Sequence, residues 1–173
     1  MPFRCVLLVA WAYSVQAAAA NAPKSAASEQ DKSFLRFAAE AAMTQAHEAR
    51  IGAARASTRD VRDFGQKLAQ DWEYAYGRVL QLAQRAGETV PRGMALRQDQ
   101  DTRELENLHG ASFDARFVSD EIREQQSEIP AFEREANHGQ DQQIRTWAQE
   151  WLAILDDHLM QARQLALGEK WNS

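Results

Sequence analysis

The sequence predicts an all-α fold, a bundle of four long helices, on three observations. Glycine and proline are sparse, 8 and 4 in 173 residues, while Ala, Gln, Glu and Arg are abundant, a composition that favours helices. No run alternates apolar and polar residues as a half-buried strand does. The third is the stretch Ile144, Ala148, Trp151, Leu155, His158, Ala162 and Leu165, which advances by fours and threes. That spacing is one stripe of an α-helix, and such a stripe must be buried against other helices. It also carries one titratable, metal-capable side chain, His158, into the interior.

The chain is long enough for one domain, and its charge is mildly acidic, net −5, with both signs dispersed. No basic block points to nucleic acid. Residues 1–20 read as a secretory signal: Arg4 is a short positive region, Cys5 to Tyr13 an apolar core, and Ala18-Ala19-Ala20 the small residues before a cut near Asn21. The apolar run is short for a membrane span and Gln16 interrupts it. Cleavage removes Cys5, leaving no cysteine for disulfide, thiolate ligation or thiol catalysis, and no stable membrane span. An uncleaved signal would instead tether the domain. Residues 21–30 are Ala/Ser-rich and read as a flexible leader. The bundle domain is expected over 31–167, with a tail at 168–173.

The first helix is expected from Asp31, as N-cap, to Ala56. Phe34, Ala38, Ala41, Gln45, Glu48 and Gly52 share one phase, with Phe37, Ala42, Ala49 and Ala53 beside it. A stripe of small residues lets a neighbour approach closely. The carboxylate Glu48 on it must be paired or wetted. The second helix opens with Ser57-Thr58-Arg59-Asp60, which fits a capping box. Its stripe is Val61, Phe64, Leu68, Ala75, Val79 and Leu82, with Asp71-Trp72 at the middle. Gly87 suits the left-handed C-terminal position and Pro91 prevents continuation.

The segment from Glu88 to Ser112 is the longest connection, with a short helix expected around Thr102 to Leu108. A helix of about 26 residues is roughly 39 Å long, and this connection can run that distance. A long crossover between the second and third helices is the topology of ferritin-like bundles. The alternative is an up-down-up-down bundle with an elaborated loop. The third helix is expected from Phe113 to Asn137, with Val118, Ile122, Gln125, Ile129, Phe132 and Ala136 inward, and with Pro130 bending or interrupting it. Gly139 stops it, and Asp141 caps the fourth helix, expected to end at Leu167.

Each helix thus brings one polar position into its stripe: Glu48, Asp71-Trp72, Gln125 and His158. Inward ligands from four helices are how carboxylate-bridged metal sites are built in bundles. No inward Glu-x-x-His pair is present, so Glu48 and His158 are the two candidate metal ligands, and a transition metal is the cofactor they would take. The competing reading makes His158 a core imidazole bonded to Glu48, Gln125 or Asp71, and makes Trp72, Trp147 and Trp151 core filling. His47, His109 and His138 are expected outside. No catalytic triad or phosphate-cradling loop appears, so no catalytic residue is assigned.

The motifs resemble the bacterial secreted family called domain of unknown function 4142. The resemblance runs from about Phe34 to Leu167. It rests on Ala46-His47-Glu48-Ala49-Arg50-Ile51-Gly52, on Ser57 to Phe64, on Phe113-Asp114, and on Leu155-Asp156-Asp157-His158-Leu159. It implies a ferritin-like bundle, with Glu48 at the usual inward glutamate and His158 at the last-helix histidine. The chain departs from the family where Asp-His pairs are typical: it has Asp71-Trp72 and Glu124-Gln125 instead. A divergent member with a depleted histidine set is therefore expected. Two functions follow. One is a non-catalytic periplasmic or secreted module for binding or envelope stress, with a protein partner or a second copy as an unidentified partner. The alternative is a residual metal-binding, oxidoreductase-type site using Glu48 and His158, with help from Asp71 or Glu124. The crossover topology would place Glu48 and His158 equally far along helices that start at the same end.

Overall fold

A computed structural model describes residues 26–92 and 102–171, with side chains described to 168. The expected signal segment and most of the leader lie outside these residues. Among the described residues there is no strand. The helices are α1 (Glu29–Arg55), α2 (Arg59–Ala86), a short α3 (102–106), α4 (Gly110–His138) and α5 (Gln142–Trp171). None is long and apolar enough to cross a membrane.

The expected stripes of α1, α2 and α5 are buried, with Leu165 alone only partly so. Small residues set the spacing between α1 and α2. A Cβ added to Gly65 would lie 2.6 Å from the Ala53 backbone nitrogen and 2.9 Å from the Gly52 carbonyl carbon. Backbone cannot yield as a side chain can. Gly65→Ala is therefore expected to destabilise by about 1–3 kcal/mol despite alanine's better helix propensity. Gly77→Ala, which meets nothing within 4 Å, is expected to be neutral or stabilising. Chemical denaturation midpoints of the two variants check the contrast.

Contacts near the helix ends fix their directions. Asp31, at the start of α1, accepts from the backbone N–H groups of Gln140 (2.9 Å) and Asp141 (3.3 Å) in the α4–α5 turn. Towards the other end of α1, Gly52 lies against the ring of Phe117, near the start of α4. So α4 runs antiparallel to α1, and α5 starts where α1 starts. Arg85, at the end of α2, forms a bidentate pair with Asp141 (2.7 and 3.0 Å). Hence α2 ends near the beginning of α5, while α2 and α4 begin together at the far end. The connection between them traverses the length of the molecule. Its described parts follow α1: Glu88 pairs with Arg36 (2.7 Å), Thr102 donates to Glu48 (2.7 Å), and Arg55 donates to the Leu108 carbonyl (3.2 Å).

Several local expectations are corrected. The N-cap of α1 is Ser28, and Asp31 is the reciprocal residue of its capping box, donor and acceptor meeting at 3.2 and 2.5 Å. The start of α2 has no side-chain cap of its own. Asp114 of α4 caps it instead, accepting from Ser57 N, Thr58 N and Ser57 Oγ, each at 2.8 Å. Local sequence suggested Asp60 for the reciprocal role, but the buried Asp114 carboxylate takes the Ser57 and Thr58 amides at the α1–α2 corner. Gly87 does end α2 in the left-handed conformation, φ 67°. Pro130 does not interrupt α4. It sits on the exposed side, where water can replace the donor it lacks.

Candidate functional site

The polar interior has two parts. The first lies between α2 and α5. His158 is fully buried, and its Nε2 lies 2.8 Å from Asp71 Oδ2. Lys67 binds the same oxygen at 2.8 Å and reaches Asp157 at 3.2 Å; Gln161 also donates to Asp157, at 2.6 Å. Burial pushes the Asp71 carboxyl up, but Lys67 and His158 outweigh it and hold it below the usual aspartate range. Burial lowers His158 more than Asp71 raises it, so the imidazole is neutral at neutral pH. With Asp71 ionised, Nε2 carries the proton and donates. Nδ1 then keeps a lone pair with no partner. The imidazole ring lies 6.3 Å from Trp72, which is 5.5 Å from Trp151, itself 6.0 Å from Trp147. These three indoles are core, as expected, although none of their N–H groups finds an acceptor.

The second part lies between α1 and α4, and of it the sequence pointed to Glu48, Glu124 and Gln125 but not to Glu121, Glu128 and Glu135. Asp114, Glu121, Glu128 and Glu135 recur every seven residues along α4, and all four are buried. Each meets a different device. Asp114 caps α2. Glu121 neighbours Glu48, Glu124 and Glu128, and burial followed by their like charge pushes its carboxyl well above the usual range. Glu128 accepts from Gln45 Nε2 at 3.1 Å, and Glu124 accepts from the same nitrogen at 2.5 Å. Burial raises Glu128 to about 8, against the Gln45 bond, and also raises Glu124. Glu135 accepts from Gln30 Nε2 at 3.2 Å and faces Asp31. Burial and then Asp31 raise it to about 7, while Asp31 is held low because Glu135, Ser28 and the Asp141 amide outweigh its own burial.

Of the two candidate ligands, Glu48 therefore belongs to the α1–α4 part, bonded to Thr102, and His158 to the α2–α5 part, bonded to Asp71. Gln125 is fully buried beside Glu121. Glu124 lies at the edge of the acid line and Asp71 at the histidine. Among the described residues no group of three or more His, Cys, Asp or Glu is arranged to hold a metal ion. Glu48 and His158, each held by a different partner, thus do not form a carboxylate-and-histidine di-metal set among the described residues. His109 and His138 are exposed and His47 is half-buried. Sequence reasoning missed Glu121, Glu128 and Glu135 because charged residues ordinarily mark a solvated face. Their strict spacing of seven was the available signal.

Fold and interior together define, among the described residues, an all-helical protein with two buried polar clusters, one between α2 and α5 and one between α1 and α4. The chain belongs to the family described as Domain of unknown function (DUF4142), whose model matches residues 16–165. No curated protein and no solved structure matches it.

Proposed function

We propose that this chain is a ferritin-like helical-bundle protein of the bacterial periplasm or cell exterior, acting without catalysis as a binding or envelope-stress module. The observation that carries this reading is the engagement of His158. Its Nε2 is held by Asp71, and Asp71 is neutralised by Lys67, so the imidazole is tied into a structural network. The end-to-end connection between α2 and α4 supports the ferritin-like assignment, since such bundles carry one long crossover. The Arg4, apolar-core and Ala18-Ala19-Ala20 pattern supports export. A second reading, residual metal binding by Glu48 and His158, is favoured by one observation: His158 Nδ1 and an oxygen of Glu121, the neighbour of Glu48, have no hydrogen-bond partner.

Mass spectrometry of the mature protein, purified without added metal, separates the two. The expected result is no stoichiometric transition metal in wild type or in His158→Ala. Near one equivalent in wild type that disappears in the variant would overturn the first reading in favour of the second. N-terminal sequencing of the same material tests export: a start near Asn21 is expected, and a start at Met1 indicates a tethered chain.

A further inference from the structure

We propose that a proton shared between Asp31 and Glu135 latches the start of α1 to the α4–α5 turn, and that its loss loosens this end of the bundle. The two residues are 0% and 1% exposed. Asp31 joins two elements at once. It closes the capping box of α1 with Ser28, and it accepts from the backbone N–H groups of Gln140 and Asp141 in the turn. A carboxylate that takes several backbone donors is held in its ionised form. Glu135 reaches the same spot from α4. Its Oε2 accepts from Gln30 Nε2 at 3.2 Å. Its Oε1 lies on the turn, where a Cβ added to Gly139 would overlap it, and the carboxyl is within hydrogen-bonding reach of Asp31. Among the described residues that oxygen receives no N–H or hydroxyl donor.

An ionised Glu135 would set two negative charges side by side in the interior. A proton on Glu135 removes that repulsion and supplies the missing donor, as in buried acid pairs that ionise one at a time. The surrounding charges leave this solution in place. Asp31 of α1 and Asp141 ahead of α5 both face Glu135 and disfavour its ionisation. Arg85 of α2 is committed to Asp141 by two bonds, and Arg145 of α5 donates to the Gly139 carbonyl at 2.7 Å. Arg134 and His138 of α4 flank Glu135 at exposed positions. The direction of the switch follows. The closed turn holds the Glu135 proton to about pH 7, and the opened turn to its ordinary 4.5. Between those values each pH unit favours the open turn about tenfold, roughly 300-fold in all, and above them the effect is level.

The latch goes beyond the binding-module reading and does not rest on it. Hydrogen exchange of the Gln140 and Asp141 amides in the full chain, divided by the intrinsic rate at each pH, reads the opening of the turn. In wild type these amides are expected to lose protection about tenfold per pH unit from about 4.5 to about 7. Glu135→Gln, whose amide donates to Asp31 at every pH, is expected to hold their protection level. Glu128→Gln, on the same helix but away from the turn, is expected to leave their pH dependence as in wild type, which separates a local latch from a general loss of stability. The side-chain carboxyl resonance of Glu135 is expected to titrate near pH 7 in wild type. Turn amides whose protection does not change with pH, or a Glu135 carboxyl that titrates near 4.5, overturn the proposal without any variant. An unchanged slope in folded Glu135→Gln, or a slope abolished by Glu128→Gln, also overturns it.

Discussion

Trp72→Ala is expected to lose about 3–5 kcal/mol of stability, the range for truncating a large buried aromatic. Trp72 is fully buried at the middle of α2, tilted against Trp151 and within 6.3 Å of the His158 ring. Removing the indole opens a cavity at the α2–α5 interface, where the other wall is also aromatic and rigid. Neighbouring side chains can collapse only partly into such a space. The indole N–H has no acceptor, so truncation breaks no hydrogen bond and the loss is one of packing. Trp72→Phe is expected to retain much of the packing. Denaturant unfolding of wild type and both variants checks the ranking. Trp72→Ala as stable as wild type would mean that the indole is not the core element assigned here. The same position is one of two where the chain departs from the Asp-His pattern it resembles, and the structure gives the departure a physical content. The ring fills the space beside His158 and helps exclude water from it.

Stability is expected to fall as pH rises from about 4.5 to about 8, the interval between the usual glutamate value and the raised values of the buried α4 acids. The carboxyls of Glu121, Glu128 and Glu135 are all raised in the folded protein, Glu135 to about 7 and Glu128 to about 8, from a usual 4.5. A carboxyl that holds its proton more tightly when folded contributes stability at low pH. That contribution is lost as pH passes through the folded value, because the ionised group must then sit in the interior. Each unit of separation corresponds to about 1.4 kcal/mol, so together the acids amount to several kcal/mol, as an order of magnitude. His158 has the opposite sign. Its folded value lies below 6.5, so its contribution is present above that value and is lost as pH falls through the folded one. The sum is a stability maximum on the acid side of neutrality. Glu121→Gln combined with Glu128→Gln keeps the shapes and removes two of the titrations. Melting temperatures across the range should be flatter in the double variant than in wild type. An unchanged alkaline slope would show that these two acids do not ionise inside the folded chain.

The acid line also shows where single-sequence reasoning reaches its limit. Apolar periodicity located the four long helices, and the stripes of α1, α2 and α5 came out at the residues named. On α4 the reading was half right. Val118, Gln125, Phe132 and Ala136 are buried, but Ile122 and Ile129 are only partly so, and Phe117, Glu121 and Glu128 take the deeper positions. Hydrophobicity ranks isoleucine above glutamate, and nothing local says that Gln45 will stand opposite Glu128 or that Thr102 will reach Glu48. Those partners lie far apart in the chain. The caps show the same division. Gly87 was legible because a left-handed C-terminal residue is a local demand. The Asp114 cap on α2 was not, because the donor amides belong to a corner that exists only once α1, α2 and α4 are packed.

By itself the sequence determined the helical class, the number and approximate extent of the long helices, the inward placement of Glu48, Gln125 and His158, and the family. These depend on short-range periodicity, propensity and motif order, which one strand of text carries. Only the tertiary structure decided the direction of each helix and the partners of buried polar groups, Thr102 for Glu48 and Asp71 for His158 among them. It also decided that a row of glutamates lies inside. A charge is buried or solvated according to what faces it across an interface, and that pairing is a property of packed helices rather than of any one of them.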